Sequence, residues 1–433
     1  VNVTTEQSSP SLALVGGRLA STGEPATVLI RNGEIAELAA PGARSQADTT
    51  IDINGCLISP GFVDLCCNLR EPGNGQKGNI ASESRAAAHG GFTTLCASPE
   101  TSPVNDSGAV TNLILDVAAK RSAVRILPIG AITRGLEGDL LSDLAGLSGA
   151  GCVAMGNGSR PVRNARVLRR CMAYAQTFGL TVMFSPENHA LAADGYAHDG
   201  LVTSRLGLLG IPEVAETASV MEMLLLAEET GVRLHLSQLS CARSVEMLVE
   251  ARRRGVAVTA DVAMHQLLFT DEALSGFDSR YHVRPPLRSE TDRQALLAGV
   301  REGVIDAITS QHLPHDSAAK QAPLAATEPG LSTIETVLSM GLMLVARGEL
   351  SQQQLLRALT EGPASVIGRT ARLEPQAPAD LCVFDPAAVW TPSAKTLCSA
   401  GLHHPFPPRS LPSQTLPGVV RLTLCNGATA WSS

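Results

Sequence analysis

Charged residues are sparse: Asp, Glu, Lys and Arg make up 17% of the 433 positions, against roughly 25% in ordinary soluble domains. No run of like charge and no basic stripe occurs. The 34 Lys and Arg stand against 41 Asp and Glu for a net charge of -7, so nucleic acid is not an expected partner. No apolar stretch approaches the roughly 18 residues that a membrane helix needs, and the opening VNVTTEQSSP lacks the basic-then-apolar layout of a signal peptide. A cytoplasmic protein without membrane contact is expected. The ten cysteines show no CxxC spacing, which excludes a zinc ribbon and a secreted disulfide framework. They read as buried, reduced thiols.

Apolar residues, by contrast, reach 44%, enough to form a core and to argue against disorder. The length implies two or three domains, or one large barrel with an appendage. Short strands broken by Asn32-Gly33 and Asn54-Gly55 fill the N-terminal part of the chain up to about Pro60. From there apolar runs alternate with helix-length segments. GFVDLCC, FTTLCA, VRILPIG, CVAM, LTVMFS, VRLHLS, VAVTADV and VIDAITS are the candidate strands. Helical patterns lie between them at Ile80 to His89, Ala109 to Lys120, Arg163 to Phe178, Glu213 to Glu229, Ser244 to Arg254 and Glu290 to Glu302. Eight such units over about 250 residues have the length of a TIM (β/α)8 barrel, an α/β fold.

Two further helices follow, one over Leu331 to Ala346 and one opened by Ser351 with Gln354 in capping-box position. ADLCVFD and the closing VVRLTLCNGATAW are again strand-like. Pairing them with the early strands predicts a small discontinuous β domain of residues 1–58 plus 372–433, flanking a barrel of residues 59–371 with its extra C-terminal helices. The proline-rich stretch Ser399 to Gln414 reads as a loop, with His403 and His404 solvated in it.

Catalytic groups of such barrels sit just after the strands. Those positions are Asp64 to Arg70, Met155 to Asn157, Ser185 to Asn188, His235 to Gln238, Asp261 with His265, and Ser310 to His315. Most are amides, hydroxyls and thiols, whereas a metal site wants carboxylates, imidazoles or thiolates converging on one point.

The frame around them resembles the dihydroorotase branch of the amidohydrolase superfamily. The resemblance rests on SPGFVDL with LREPG, HGGFTTLCASP, GIPEVAE, RPPLRSETDR and IDAITSQHLPH, in the family's order. It implies metal-ligand positions at Cys66 and Asn68 on the first strand, at Asn157, Ser185 and Gln238 on the fourth to sixth, and at Gln311 on the eighth. None carries the family's residue. Arg70 matches the arginine used against the substrate carboxylate, and His315 is also in place. Glu100 and Arg284 stand where the family has substrate-binding asparagines, putting a negative charge and a bulky cation into the pocket.

Opening or closing a cyclic amide near neutral pH relies on metal coordination, which lowers the pKa of water from about 16 toward about 7. Neutral amides cannot hold that metal, and Gln311 cannot carry a proton. No catalytic residue, metal or cofactor is therefore expected, with Arg70 and His315 as vestigial ligand-binding residues.

The remaining candidates read structurally. His312 and His315 are expected to be a hydrogen-bonded rim pair, Cys66 and Cys67 a buried apolar pair, His235 and His265 core or rim histidines, and MEMLLLAEE a core-packing helix. The resemblance to a non-catalytic dihydroorotase-like group implies a structural subunit of aspartate carbamoyltransferase in pyrimidine biosynthesis. Its partner would be the transferase catalytic chain, in a hetero-oligomer, with self-association as well. The alternatives are an active amidohydrolase using Cys66 or the His312/His315 pair, and a ligand sensor that uses Arg70 without turnover.

Overall fold

A computed structural model describes residues 11–40, 47–406 and 415–433. The eight apolar runs form eight parallel strands: β1 (Phe62–Cys67), β2 (Phe92–Ala97), β3 (Arg125–Ala131), β4 (Ala154–Gly156), β5 (Thr181–Phe184), β6 (Arg233–Leu236), β7 (Val258–Ala263) and β8 (Ala307–Thr309). They pair strictly in sequence order. Their nearly continuous burial is what a parallel sheet covered on both faces demands, and it is why they read as unbroken apolar runs.

The last and first strands meet without a regular ladder. Polar groups close the seam: the Asp64 carboxylate accepts from Ser310 N at 2.9 Å and Ser310 Oγ at 2.5 Å, and Asn68 N donates to His312 O at 2.9 Å. Burial raises the Asp64 carboxyl to about 6 despite those bonds.

Both termini supply the second sheet. The strand Leu381–Trp390 runs antiparallel to Leu57–Pro60 on one side and to Leu416–Cys425 on the other, around a core that includes Leu14, Val28, Ile58, Val383 and Leu424. Leu57–Pro60 crosses the expected boundary at residue 58 because it joins this sheet before the chain enters the barrel.

Helices α1 (Ile80–His89), α2 (Glu213–Thr230), α3 (Ala242–Arg253) and α4 (Val337–Ala346) are the ones that bear on the site. The helix expected from Leu331 starts only at Val337. Leu331 instead bridges to His312 just past β8 and residues 334–336 form a turn, with Thr333 N donating to His312 Nδ1 at 3.1 Å and Thr333 Oγ1 to Ser310 O at 2.6 Å. The Ser351–Gln354 capping box forms as expected.

Two expectations are corrected. The MEMLLLAEE helix is only half core: Met223, Leu224 and Ala227 are buried, but Val214, Met221 and Leu225 are 50%, 41% and 54% exposed along one outer face of α2. His404 is buried rather than solvated, its Nδ1 accepting from Phe406 N at 3.2 Å, and His403 Nε2 bonds to Asp316 O at 2.8 Å. Residues 407–414 of the proline-rich stretch lie outside the described residues. Among the described residues, no helix is long and apolar enough to cross a membrane.

Candidate functional site

A cavity of about 520 Å³ opens at the C-terminal ends of the strands. Its walls include Cys66, Asn68, Ser185, Gln238 and Gln311, so five of the six expected ligand positions do converge. Asn157 does not line it. That side chain is fully buried, accepting from Thr133 Oγ1 at 2.7 Å and donating to Arg160 O at 3.1 Å.

The converging groups satisfy one another as neutral partners. Gln311 Nε2 donates to Gln238 Oε1 at 2.6 Å and to Arg284 O at 2.8 Å, and the Gln238 amide donates in turn to Cys66 Sγ. Burial pushes the Cys66 thiol well above its ordinary range, with the Asp261, Asp64 and Glu100 carboxylates adding to the effect. Gln238 and Gln311 have left-handed backbones, φ 61° and 50°, as does Arg70 at 62°. Such conformations cost on the order of 1 kcal/mol each and persist where surrounding bonds over-determine them. For Gln238 the holding bond runs from its N–H to Asp261 Oδ1 at 2.8 Å.

This donor set does not fit the metal that the fold family employs. Carboxamides and an unionised thiol supply no anionic ligand, and the required convergence of carboxylates, imidazoles or thiolates is missing. Among the described residues, the one trio of His, Cys, Asp or Glu side chains whose ligand atoms lie within 4.8 Å of one another is His89, Glu335 and Cys398, none of which lines the cavity.

The charge inside the cavity is equally specific. Glu187 and Arg284 form an ion pair at 2.5 Å, so the guanidinium is neutralised locally. Glu100 takes hydroxyl bonds from Ser159 at 2.5 Å and Ser98 at 3.3 Å, with no cation in salt-bridge reach among the described residues. Glu187 was among the strand-end positions read from the sequence, but its pairing with Arg284 was not, since the two lie 97 positions apart.

Arg70 and His315 are not cavity-lining residues. Arg70 Nε donates to Pro314 O at 2.8 Å and its Nη2 reaches His315 Nδ1 at 3.4 Å, while His315 Nε2 bonds Pro329 O at 2.9 Å. Burial lowers the His315 imidazole to about 4, and the Arg70 guanidinium adds to that shift. His312 and His315 do not form a pair. His312 is fully buried and bonds Glu83 Oε2 at 2.8 Å, on the side away from His315's partners.

Behind the cavity lies a layer of buried carboxylates. Glu216, from GIPEVAE on α2, accepts from Ser240 N at 3.0 Å, Cys241 N at 3.2 Å and Ser244 Oγ at 2.7 Å, capping the start of α3, with Arg288 3.9 Å away. Asp261 accepts from His235 Nε2 at 2.8 Å, which makes His235 the core histidine expected. His265, 1% exposed, is buried too, but it is not the satisfied histidine expected, since neither ring nitrogen has a hydrogen-bond partner among the described residues.

A family model described as dihydro-orotase-like matches residues 55–244. A dihydroorotase-like protein of Pseudomonas aeruginosa is 48% identical over 399 residues, covering 92% of this chain and 93% of that one. Its counterpart in Pseudomonas putida is 47% identical, covering 91% and 92%, and a dihydroorotase of Anaeromyxobacter dehalogenans is 41% identical, covering 89% and 90%. The L-hydantoinase (dihydropyrimidinase) from Arthrobacter aurescens superposes with a TM-score of 0.87 over 98% of this chain and 96% of that one, at 23% identity, and so reports the fold alone. With barrel, terminal sheet and sequence all in agreement, the chain belongs to the dihydroorotase-like family of the amidohydrolase superfamily.

Proposed function

We propose that this dihydroorotase-like chain performs no dihydroorotase chemistry and serves as a non-catalytic subunit of an aspartate carbamoyltransferase assembly in pyrimidine biosynthesis. The observation that carries the first half is the closed amide–thiol relay Cys66–Gln238–Gln311, which occupies the converging positions with groups that neither ionise nor hold a metal. Glu100 adds a carboxylate to the wall, unfavourable to an anionic substrate. The second half rests on the family resemblance. Low charge density and the exposed Val214, Met221 and Leu225 face of α2 suit a chain whose work is done by its surface.

The test is to express the transferase catalytic chain alone and together with this one, then compare sedimentation and carbamoyl transfer. A larger complex whose activity depends on this chain is expected, and Gln311→Ala should leave that activity unchanged. A transferase of identical mass and full activity in both cases overturns the reading. The retained 520 Å³ cavity favours a second reading, ligand binding without turnover, which then moves ahead.

A further inference from the structure

The His89, Glu335 and Cys398 trio sits where the barrel meets the terminal sheet. His89 ends α1, Glu335 precedes α4, and Cys398 lies in the segment after the strand Leu381–Trp390, so three distant parts of the chain converge. His89 Nδ1 and Glu335 Oε1 are 2.5 Å apart, and the three ligand atoms lie within 4.8 Å of one another. The geometry points to a binding site for one divalent cation of the zinc class, held by the His89 imidazole, the Glu335 carboxylate and the Cys398 thiolate, with the remaining position open to water.

The donor chemistry is what distinguishes this cluster from the cavity. Imidazole, carboxylate and thiolate together are a borderline-soft set, suited to zinc and cobalt rather than to calcium or magnesium. Two ligands on one tetrahedral ion with bonds of about 2.0–2.1 Å are about 3.3 Å apart, so the ion enters by displacing the His89–Glu335 hydrogen bond and parting those two atoms by about 0.8 Å, with Cys398 Sγ within 4.8 Å of both. Outer bonds already orient the carboxylate: Oε1 accepts from Cys398 N at 2.8 Å and Oε2 from Ser399 N at 3.1 Å.

Ring packing supplies the rest of the pocket. The chain has two tryptophans, and both abut His89, Trp431 with ring centroids 4.5 Å apart and Trp390 at 5.6 Å. Glu335 is 3% exposed and His89 16%, while Cys398 is half-buried and gives an ion a way in. Thr423 Oγ1 donates to Ala88 O at 2.7 Å beside it, so a bound ion would clasp α1 to the terminal sheet. Metal binding to the folded form alone would stabilise that junction by mass action.

The untagged full-length chain, stripped with a chelator and titrated with Co²⁺, provides the test. One cobalt per chain is expected, with near-ultraviolet thiolate-to-cobalt charge-transfer absorption and parallel quenching of tryptophan fluorescence, both reversed by Zn²⁺. Cys398→Ser should abolish the absorption and weaken cobalt binding at least tenfold, whereas Cys66→Ser should change neither. Absence of the charge-transfer band at saturating cobalt overturns the proposal, as does its loss in Cys66→Ser with retention in Cys398→Ser. Should Cys398→Ser fold poorly, the quenching stoichiometry of the unaltered chain and the Cys66 variant still decide. None of these outcomes depends on whether the chain supports the transferase.

Discussion

The amide–thiol relay on the cavity wall and the buried carboxylates around it treat polar groups in opposite ways, although the wall also carries Glu100 and the Glu187–Arg284 ion pair. On the wall, Cys66, Gln238 and Gln311 are neutral and bond mainly to one another. Behind it, Asp64, Glu83, Glu216 and Asp261 are buried carboxylates whose oxygens accept from backbone N–H groups, hydroxyls or imidazoles drawn from other elements. A buried charge is tolerated only where such partners surround it. The back layer supplies those partners because its carboxylates cap a helix and close the β8–β1 seam. The side chains of Cys66, Gln238 and Gln311 cap no helix and bridge no seam, so neutral groups serve at those three positions.

The largest effect that could break this contrast is expected at Glu216. Replacing it by Ala strands the Arg288 guanidinium and the Ser240, Cys241 and Ser244 donors in the core, a loss of roughly 3–5 kcal/mol by analogy with broken buried pairs. Denaturant unfolding should show it as a large drop in midpoint. A Glu216→Ala variant as stable as the parent would remove the structural role assigned to the back layer.

An intermediate effect concerns acid. Burial holds His265, His282, His315 and His404 each near 4, below the ordinary 6.5. Between pH 6.5 and 4 the unfolded chain binds protons at these rings that the native chain refuses, so stability falls as pH drops through that window. Asp64, raised to about 6, acts in the opposite sense, because below that pH the native state takes up its proton first. His189 and His198 are lowered as well, while Glu213 and Asp271 are raised like Asp64, so six imidazoles against three carboxylates leave a net loss, on the order of 1.4 kcal/mol per pH unit for each fully shifted group within its range. Melting temperatures measured from pH 7 to pH 4.5 should fall steadily, and His315→Asn should flatten the slope. A flat profile would contradict the burial assigned to these rings.

The smallest effect sharpens the comparison from the other side. Restoring imidazoles with Cys66→His plus Asn68→His should change stability by about 1 kcal/mol or less, and dihydroorotate turnover should remain undetectable. Ser185, Gln238 and Gln311 would still be neutral, and the Asn157 side chain would still face Thr133 and Arg160. Measurable turnover by that variant would mean that fewer ligands suffice than the cavity geometry implies.

The barrel strands were legible as sequence because a parallel strand buried on both faces leaves a local signature of unbroken apolar residues. All eight appear where those runs predict them. Helix caps such as Ser351 with Gln354 are equally local. The neutral character of the ligand positions could also be read directly, since it depends on residue type alone.

Partner choice could not be read that way. Arg70 and His315 match a substrate-binding pattern, and in the fold they bond to each other and to the carbonyls of Pro314 and of the wall residue Pro329. The segment 331–336 had helical composition, but His312 Nδ1 and Ser310 O, just past β8, bind the Thr333 backbone and side chain, and those long-range bonds leave a bridge and a turn ahead of α4. The outer face of α2 looked like core because Met223 to Ala227 is an unbroken apolar run, long enough to reach every side of the helix.

By itself, then, the sequence determined where the eight barrel strands run and which residue types stand at their C-terminal ends. Both follow from local periodicity and side-chain type. Only the tertiary structure decided that Glu83 meets His312 across 229 positions, Arg284 meets Glu187 across 97, and His89 meets Glu335 across 246. Those contacts arise when distant backbone segments are packed together and each buried polar group takes whichever partner the fold leaves within reach, a selection that no local pattern encodes.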